Sequence, residues 1–357
     1  MSQYTAAVIG TGPEPDNPVW GESAAMAYRH GVAYRDCEAS DLVGCADIVR
    51  ENAADFAVAF DLPDSSVYED HETMLAELEP DVVSICTPVP THADLVVSTV
   101  ESGVPLAVHC EKPMAHTWAE SQRMAAVAAD ADVQLTFNHQ RRFGPQWVRA
   151  RDLLESGAIG DLERVEVGGK NLFDYGSHLI DLANAFAGER GAEWVFGQVH
   201  YTEADVRYGV HNENQALACW GYGNGVHALA STGHGSGADL VGCEQRLLAT
   251  AGTIEINPDG TDASLRYRAD ETDGWREESP DADCETPLIT LAIEDVLAAL
   301  DSGREPETSA AKALRATEII FAAWASARRR ERLSLPLEDG GNALTELVDA
   351  GELTPDT

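Results

Sequence analysis

Short, almost unbroken apolar runs alternate with helix-like stretches through the first third of the chain. Ala6–Ile9, Leu42–Ala46, Asp81–Cys86, Leu106–Cys110 and Val133–Phe137 predict strands. Helices are predicted from about Glu22 to His30, from near Asp47, over His92–Ser102 and over Thr117–Ala129. Strands that stay apolar throughout suit a sheet buried on both faces. Their alternation with helices of this length predicts a parallel sheet with helices on both sides.

The pattern changes after Phe143. A helix over Pro145–Glu155 ends at Gly157, and Leu162–Val167 alternates like a half-exposed strand. Ser177 suits the cap of a helix running to Phe186. Beyond Trp194 long alternating strands take over: Ala216–Trp220 and Val226–Ser231 flank Gly221–Gly225, whose Asn224-Gly225 pair marks a hairpin tip. Arg246–Thr250 meets Ile254–Ile256 across Ala251–Thr253, so an antiparallel sheet with one covered face is expected. Two helices follow, about Ile289–Leu300 and Ala310–Arg328, and the acidic segment from Glu338 is expected to be peripheral.

The length of 357 residues suggests two domains, and 44% hydrophobic residues argue against disorder. The 61 Asp and Glu against 24 Lys and Arg give a formal net charge of −37, which repels nucleic acid and anionic membrane surfaces. Such acidity, with lysine scarce, looks like adaptation to high intracellular salt, where screening makes self-repulsion tolerable. Seven cysteines without a C-x-x-C pair read as a reducing cytoplasm with no disulfide framework. No apolar run reaches the roughly 18 residues of a membrane span, and Met1–Tyr4 runs into the first strand without a basic leader. A soluble, cytoplasmic protein is expected.

Only three lysines occur, Lys112, Lys170 and Lys312. Lys112 stands in Glu111-Lys112-Pro113, at the carboxyl end of the strand Leu106–Cys110, the end at which open parallel sheets bind ligands. A lysine there can change its ionisation on desolvation, which arginine does not readily do. The alternative is a lysine solvating a loop.

Gly10-Thr11-Gly12 ends the first strand in the start of a dinucleotide-binding turn, where glycines let backbone amides approach a pyrophosphate. The third glycine is delayed to Gly21, across Pro13–Trp20, and an ordinary turn stays open as a reading. Asp47 follows the second strand, where a carboxylate can accept hydrogen bonds from the adenosine ribose and would repel a 2′-phosphate. This favours NAD, although Arg50 keeps NADP open and a helix N-cap is an alternative use of Asp47.

The chain resembles the Gfo/Idh/MocA oxidoreductases, which include glucose–fructose oxidoreductase and inositol dehydrogenase. The resemblance runs from Val8 to about Pro336 and rests on Ile85–Pro88 with His92, Glu111–Pro113, Arg141–Phe143, and Asp174–His178 with Asp181. Ala251–Thr253 and Gly303–Pro306 add weaker support. The resemblance implies an α/β N-terminal Rossmann domain, doubly wound, plus an α+β C-terminal domain with a large, mainly antiparallel open sheet. Expected boundaries are 1–138 for the dinucleotide-binding domain, 139–337 for the substrate-binding and oligomerisation domain, and 338–357 for an acidic tail. A homodimer or homotetramer through the C-terminal sheet is implied, with the final long helix packing back near the first domain.

By the same resemblance, Thr87, Pro88 and His92 look like the wall beside the nicotinamide ribose, and Glu111 and Lys112 like the pair at the nicotinamide and substrate hydroxyl. Asp174 and His178 match the acid and histidine that complete a catalytic Lys-Asp-His set, and Arg142 resembles a positioning arginine. Two departures stand out: the stretched glycine loop, and a Val167–Asp174 segment shorter than usual, which makes Lys170 and Asn171 candidate substrate contacts.

Oxidising a secondary alcohol needs a base for the hydroxyl proton while hydride leaves for nicotinamide. Histidine suits that role, and such proton transfer contributes roughly 10²–10⁴-fold. His178 is assigned as base, Lys112 as the group stabilising developing alkoxide charge, and Asp174 as their partner. Alternatively, His178 is a core histidine, or His178 and Asp181, at i and i+3, ligate a metal; no third ligand is evident from spacing, and no metal is expected. The expected activity is an NAD(P)-dependent dehydrogenase of a sugar, polyol or cyclitol. The rivals are a glycosidase or epimerase that recycles bound NAD, and a non-catalytic dinucleotide-binding regulatory protein.

Overall fold

The computed structural model describes residues 4–13, 26–233, 240–269, 274–282 and 284–356. These form two compact units that are discontinuous in sequence: Met1–Ala115, Glu120–Gln140 and Thr286–Ala311 make the first, and His116–Ala119, Arg141–Glu285 and Lys312–Thr357 the second.

In the first unit, β1 (Tyr4–Ile9), α1 (Met26–Asp36), β2 (Ser40–Ala46), α2 (Arg50–Ala59), β3 (Val67–Tyr68), α3 (His71–Leu78), β4 (Val82–Ile85), α4 (His92–Glu101), β5 (Ala107–Cys110), α5 (Trp118–Asp130) and β6 (Gln134–Phe137) follow in order. All strand pairs are parallel, in the order β3-β2-β1-β4-β5-β6. Ala6, Ala7, Val8, Val82, Val83 and Val108 are each 0% exposed, as the continuous apolar runs require. The chain reverses its direction of travel across the sheet between β1 and β4, so their carboxyl ends open a crevice there. The short β3 and the helix α3, capped by Asp70 accepting from the Thr73 amide, were not predicted from the pattern.

The second unit begins its main run with α6 (Pro145–Glu155), β7 (Leu162–Val167) and α7 (Gly176–Phe186). Strands β8 (Ala192–His200), β9 (Val206–Arg207), β10 (Val210–His211), β11 (Gln215–Tyr222), β12 (His227–Gly233), β13 (Cys243–Ala249), β14 (Gly252–Pro258), β15 (Leu265–Ala269) and β16 (Arg276–Glu278) follow. After α8 (Leu288–Ser302) come α9 (Ala310–Arg329), β17 (Leu333–Ser334) and α10 (Ala343–Asp349). A nine-stranded sheet runs β16-β15-β14-β13-β7-β12-β11-β8-β17, antiparallel except where β7 meets β12. Helices cover one face: the Gly197 amide of β8 donates to Ser326 Oγ of α9, and Gln245 of β13 donates to the Leu179 carbonyl of α7. The other face carries exposed Phe196 and Leu217 and a ladder of ion pairs in which Arg246 joins Glu166 to Glu255, and Arg266 joins Glu255.

Helix α8 belongs to the first unit, where its Ile289, Ile293, Val296 and Leu297 share a core with Tyr34 and Phe56, and α9 from Lys312 onward belongs to the second. Two expectations are corrected. Ser177 lies inside α7 and donates to the Asp174 carbonyl; Tyr175 takes the cap position without a side-chain bond. The segment from Glu338 is not peripheral: Leu344 is 0% exposed and Asn342 caps α10 while donating to the His116 carbonyl.

Candidate active site

The carboxyl edge of the first sheet is built from four loops. Gly10, directly after β1, has φ +82°, and a Cβ there would fall 2.3 Å from Thr87 Cγ2, so only glycine lets the turns after β1 and β4 come this close. Asp47, directly after β2, closes the first turn: its Oδ2 accepts the Gly12 amide at 2.9 Å and the Thr11 hydroxyl at 3.3 Å, and its Oδ1 accepts the Val49 amide at 2.9 Å. The N-cap of α2 is Val49, not Asp47. Arg50 donates to the Val67 carbonyl. Residues 14–25, which include Gly21, lie outside the described residues.

After β4, the Thr87 hydroxyl accepts from Thr91 at 2.8 Å, and Pro88 starts a turn into α4. His92 is fully buried behind this loop, with Nε2 2.8 Å from the Thr87 carbonyl oxygen and Nδ1 3.0 Å from that of Pro113. Burial holds its pKa below the ordinary imidazole range, with the carbonyls pulling the other way. His92 thus links the β4 and β5 loops from behind.

Lys112 follows β5 and is partly exposed, whereas Glu111 is 6% exposed and points inward. Its Oε1 accepts from Asn138 at 2.7 Å and lies 2.9 Å from His30 Nε2; its Oε2 accepts the Lys112 amide at 3.2 Å. Burial pushes the Glu111 carboxyl up, but His30, Asn138 and Lys112 outweigh it and hold it down at about 2. The Cys110 thiol, buried beside this carboxylate, is pushed well above its usual value and behaves as a small core group.

In the second unit, Asp174 lies in the turn before α7 and His178 in its first turn, 5% exposed. Two consecutive side chains between β10 and β11 support this turn. Asn212 Oδ1 accepts the Asp174 amide at 3.2 Å, and Glu213 Oε1 accepts the Leu172 amide at 2.6 Å. Phe173 packs against Phe321 and Trp324.

Three of the expected contacts have other partners. The Arg142 guanidinium, 4% exposed, forks onto Asp181 at 2.6 and 2.8 Å and reaches Glu189 at 2.5 Å, so it ties α7 to the turn before α6. Asp181 is thereby occupied against a metal role, and among the described residues no three His, Cys, Asp or Glu side chains gather as a metal site. Asn171, 2% exposed, accepts the Tyr175 amide at 2.9 Å and so shapes the loop. Lys170 is exposed, its ammonium 5.8 Å from the centre of the Tyr175 ring.

Sequence reading missed His30, Asn138, Asn212 and Glu213. His30 falls inside a helix pattern and Asn212-Glu213 inside a polar connection, so neither position carries a local signal. The edge fits a dinucleotide: a glycine turn that a side chain would obstruct, and an acid across it.

A parallel sheet with this edge is the architecture of a dinucleotide-binding Rossmann unit, and the second unit is α+β. Residues 19–139 match the model of the Gfo/Idh/MocA oxidoreductase family, with its NAD-binding Rossmann fold. D-apiose dehydrogenase of Paraburkholderia graminis is 26% identical over 345 residues, 86% of each chain. Inositol 2-dehydrogenase of Rhizobium meliloti is 34% identical over 87 residues, 24% of this chain and 26% of that enzyme. Among solved structures, the aldose–aldose oxidoreductase of Caulobacter crescentus, complexed with glycerol, superposes with a TM-score of 0.76 at 20% identity, covering 93% of this chain and all of that one. No helix among the described residues is long and apolar enough to cross a membrane.

Proposed function

We propose that the protein is an NAD-dependent dehydrogenase of a secondary hydroxyl on a sugar, polyol or cyclitol. The observation that carries this reading is Lys112 at the carboxyl end of β5, its amide held by Glu111, on the same sheet edge as the Gly10 turn. Bound nicotinamide would supply the hydride acceptor. Gly10, Thr11 and Gly12 would present backbone to the pyrophosphate, and Thr87 and Pro88 would border the nicotinamide ribose. Asp47 favours NAD over NADP, because its carboxylate can accept ribose hydroxyls and repels a phosphate. Lys112 would hydrogen-bond the substrate oxygen, His178 would take its proton, and Asp174 would hold the pair in register.

The exposed Phe196 and Leu217 on the open sheet suit a homodimer or homotetramer through that face. The charge of −37 suits a cytoplasm of high salt. A panel of sugars, polyols and cyclitols, assayed in molar salt with NAD and NADP separately, tests the reading through formation of reduced nicotinamide. Reduction of NAD by at least one such substrate is expected. No reduction across the panel would overturn it, and turnover without added cofactor would point to a recycling enzyme instead.

A further inference from the structure

Glu111 is the end of a polar chain sealed inside the first unit. The Tyr34 and Ser84 hydroxyls lie 2.7 Å apart, Ser84 Oγ is 3.0 Å from His30 Nδ1, and His30 Nε2 is 2.9 Å from Glu111 Oε1. Tyr34, Ser84, His30 and Asn138 are each 0% exposed. The Glu111 carboxylate accepts from His30 Nε2; with a neutral imidazole, Nδ1 then accepts from Ser84, whose oxygen accepts from Tyr34. The chain ties together α1, β4, and the loops after β5 and β6. An apolar cluster of the same volume would hold those elements together at lower cost, so a polar network points to a need for placement.

We propose that His30 and Asn138 are positioning residues for Lys112. By fixing one oxygen of Glu111 they aim the other at the Lys112 amide, and through His30 they tie that lysine to α1, the helix after the glycine turn. The inference rests on the role proposed above for Lys112. The titratable groups facing Glu111 are His30 on α1, Cys86 after β4, His92 on α4, His109 and Cys110 on β5, and Lys112 itself. Removing the His30 donor leaves burial less opposed, so the Glu111 carboxyl moves upward toward the working pH range.

The test compares His30→Leu with His30→Gln, whose amide can still donate to Glu111. Hydrogen exchange read by mass spectrometry over peptides covering 106–118 should accelerate about 10- to 100-fold in the leucine variant, the size expected for losing a hydrogen bond to a charged group. The acid limb of its turnover profile should move to higher pH, and the glutamine variant should recover most of both effects. Should His30→Leu fail to fold, Ser84→Ala, which removes the hydroxyl shared by His30 and Tyr34 but leaves the His30–Glu111 bond in place, should shift exchange and acid limb in the same direction by less. Wild-type exchange and an unmoved acid limb in a folded leucine variant, or in Ser84→Ala if that is the variant used, would overturn the proposal. A wild-type protein that oxidises nothing in the panel would defeat the dehydrogenase reading, while exchange would still decide the positioning.

Discussion

Glu213 accepts the Leu172 backbone amide at 2.6 Å through one carboxylate oxygen and the Trp324 indole N–H at 2.9 Å through the other, while only 1% exposed. The strut stands two residues before Asp174, and its neighbour Asn212 takes the Asp174 amide itself. The turn leading to His178 therefore hangs from two adjacent side chains that reach it from the connection between β10 and β11.

Burial pushes the Glu213 carboxyl up to about 7, against its Leu172 and Trp324 donors. Between the ordinary glutamate value of about 4.3 and that raised value, the native state keeps a proton that the unfolded chain has released. Stability from this group is therefore greatest at low pH and falls as pH rises through the window. Glu213→Gln removes the ionisation, so its melting temperature relative to wild type should rise between about pH 5 and about pH 8, by an amount equivalent to at most about 3 kcal/mol. A difference that does not change with pH would contradict this.

Arg142 forks onto Asp181 in the buried interior of the second unit. Arg142→Lys keeps the charge but cannot reproduce the fork, and Arg142→Ala leaves a carboxylate buried without it. Urea unfolding should show the alanine variant less stable by about 3–5 kcal/mol and the lysine variant by less. If Arg142 instead contacted substrate, KM would rise with the unfolding midpoint unmoved.

Asp47 closes the glycine turn through Gly12 and Thr11. Fluorescence titration of Asp47→Ala should show NADH affinity down roughly tenfold and NADPH affinity reduced less, since the variant removes both an acceptor and a repulsive charge. Equal losses for the two cofactors would remove Asp47 from the selection.

Gly10→Ala places a methyl group 2.3 Å from Thr87 Cγ2 on a residue with φ +82°. Loss of NADH binding is expected, together with destabilisation of at least about 1 kcal/mol. Wild-type affinity in this variant would mean that the turn does not need its present shape.

The parallel sheet is legible because its strands are short, nearly continuous apolar runs, a pattern that depends only on local sequence. Gly10, Asp47 and Lys112 at its carboxyl end are legible from their places after these strands, whereas Thr87 rests on the family resemblance. What escaped depends on partners far along the chain. β3 pairs through two residues only, too few to leave a period. α8 looks like any amphipathic helix until its apolar face meets α1. Arg142 sits in a recognisable motif, yet its partner Asp181 is 39 residues away, and nothing local shows that the guanidinium turns inward. Glu213 lies in a polar stretch that reads as a loop, although it is buried against Trp324, 111 residues on.

Lys112→Met offers the most direct test of the central claim, because the variant keeps the volume of the side chain and removes its ammonium. Measured with the best substrate of the panel, turnover should fall by roughly 100-fold or more, with NADH affinity close to that of the wild type. Turnover at the wild-type rate would contradict a role for this lysine at the substrate oxygen.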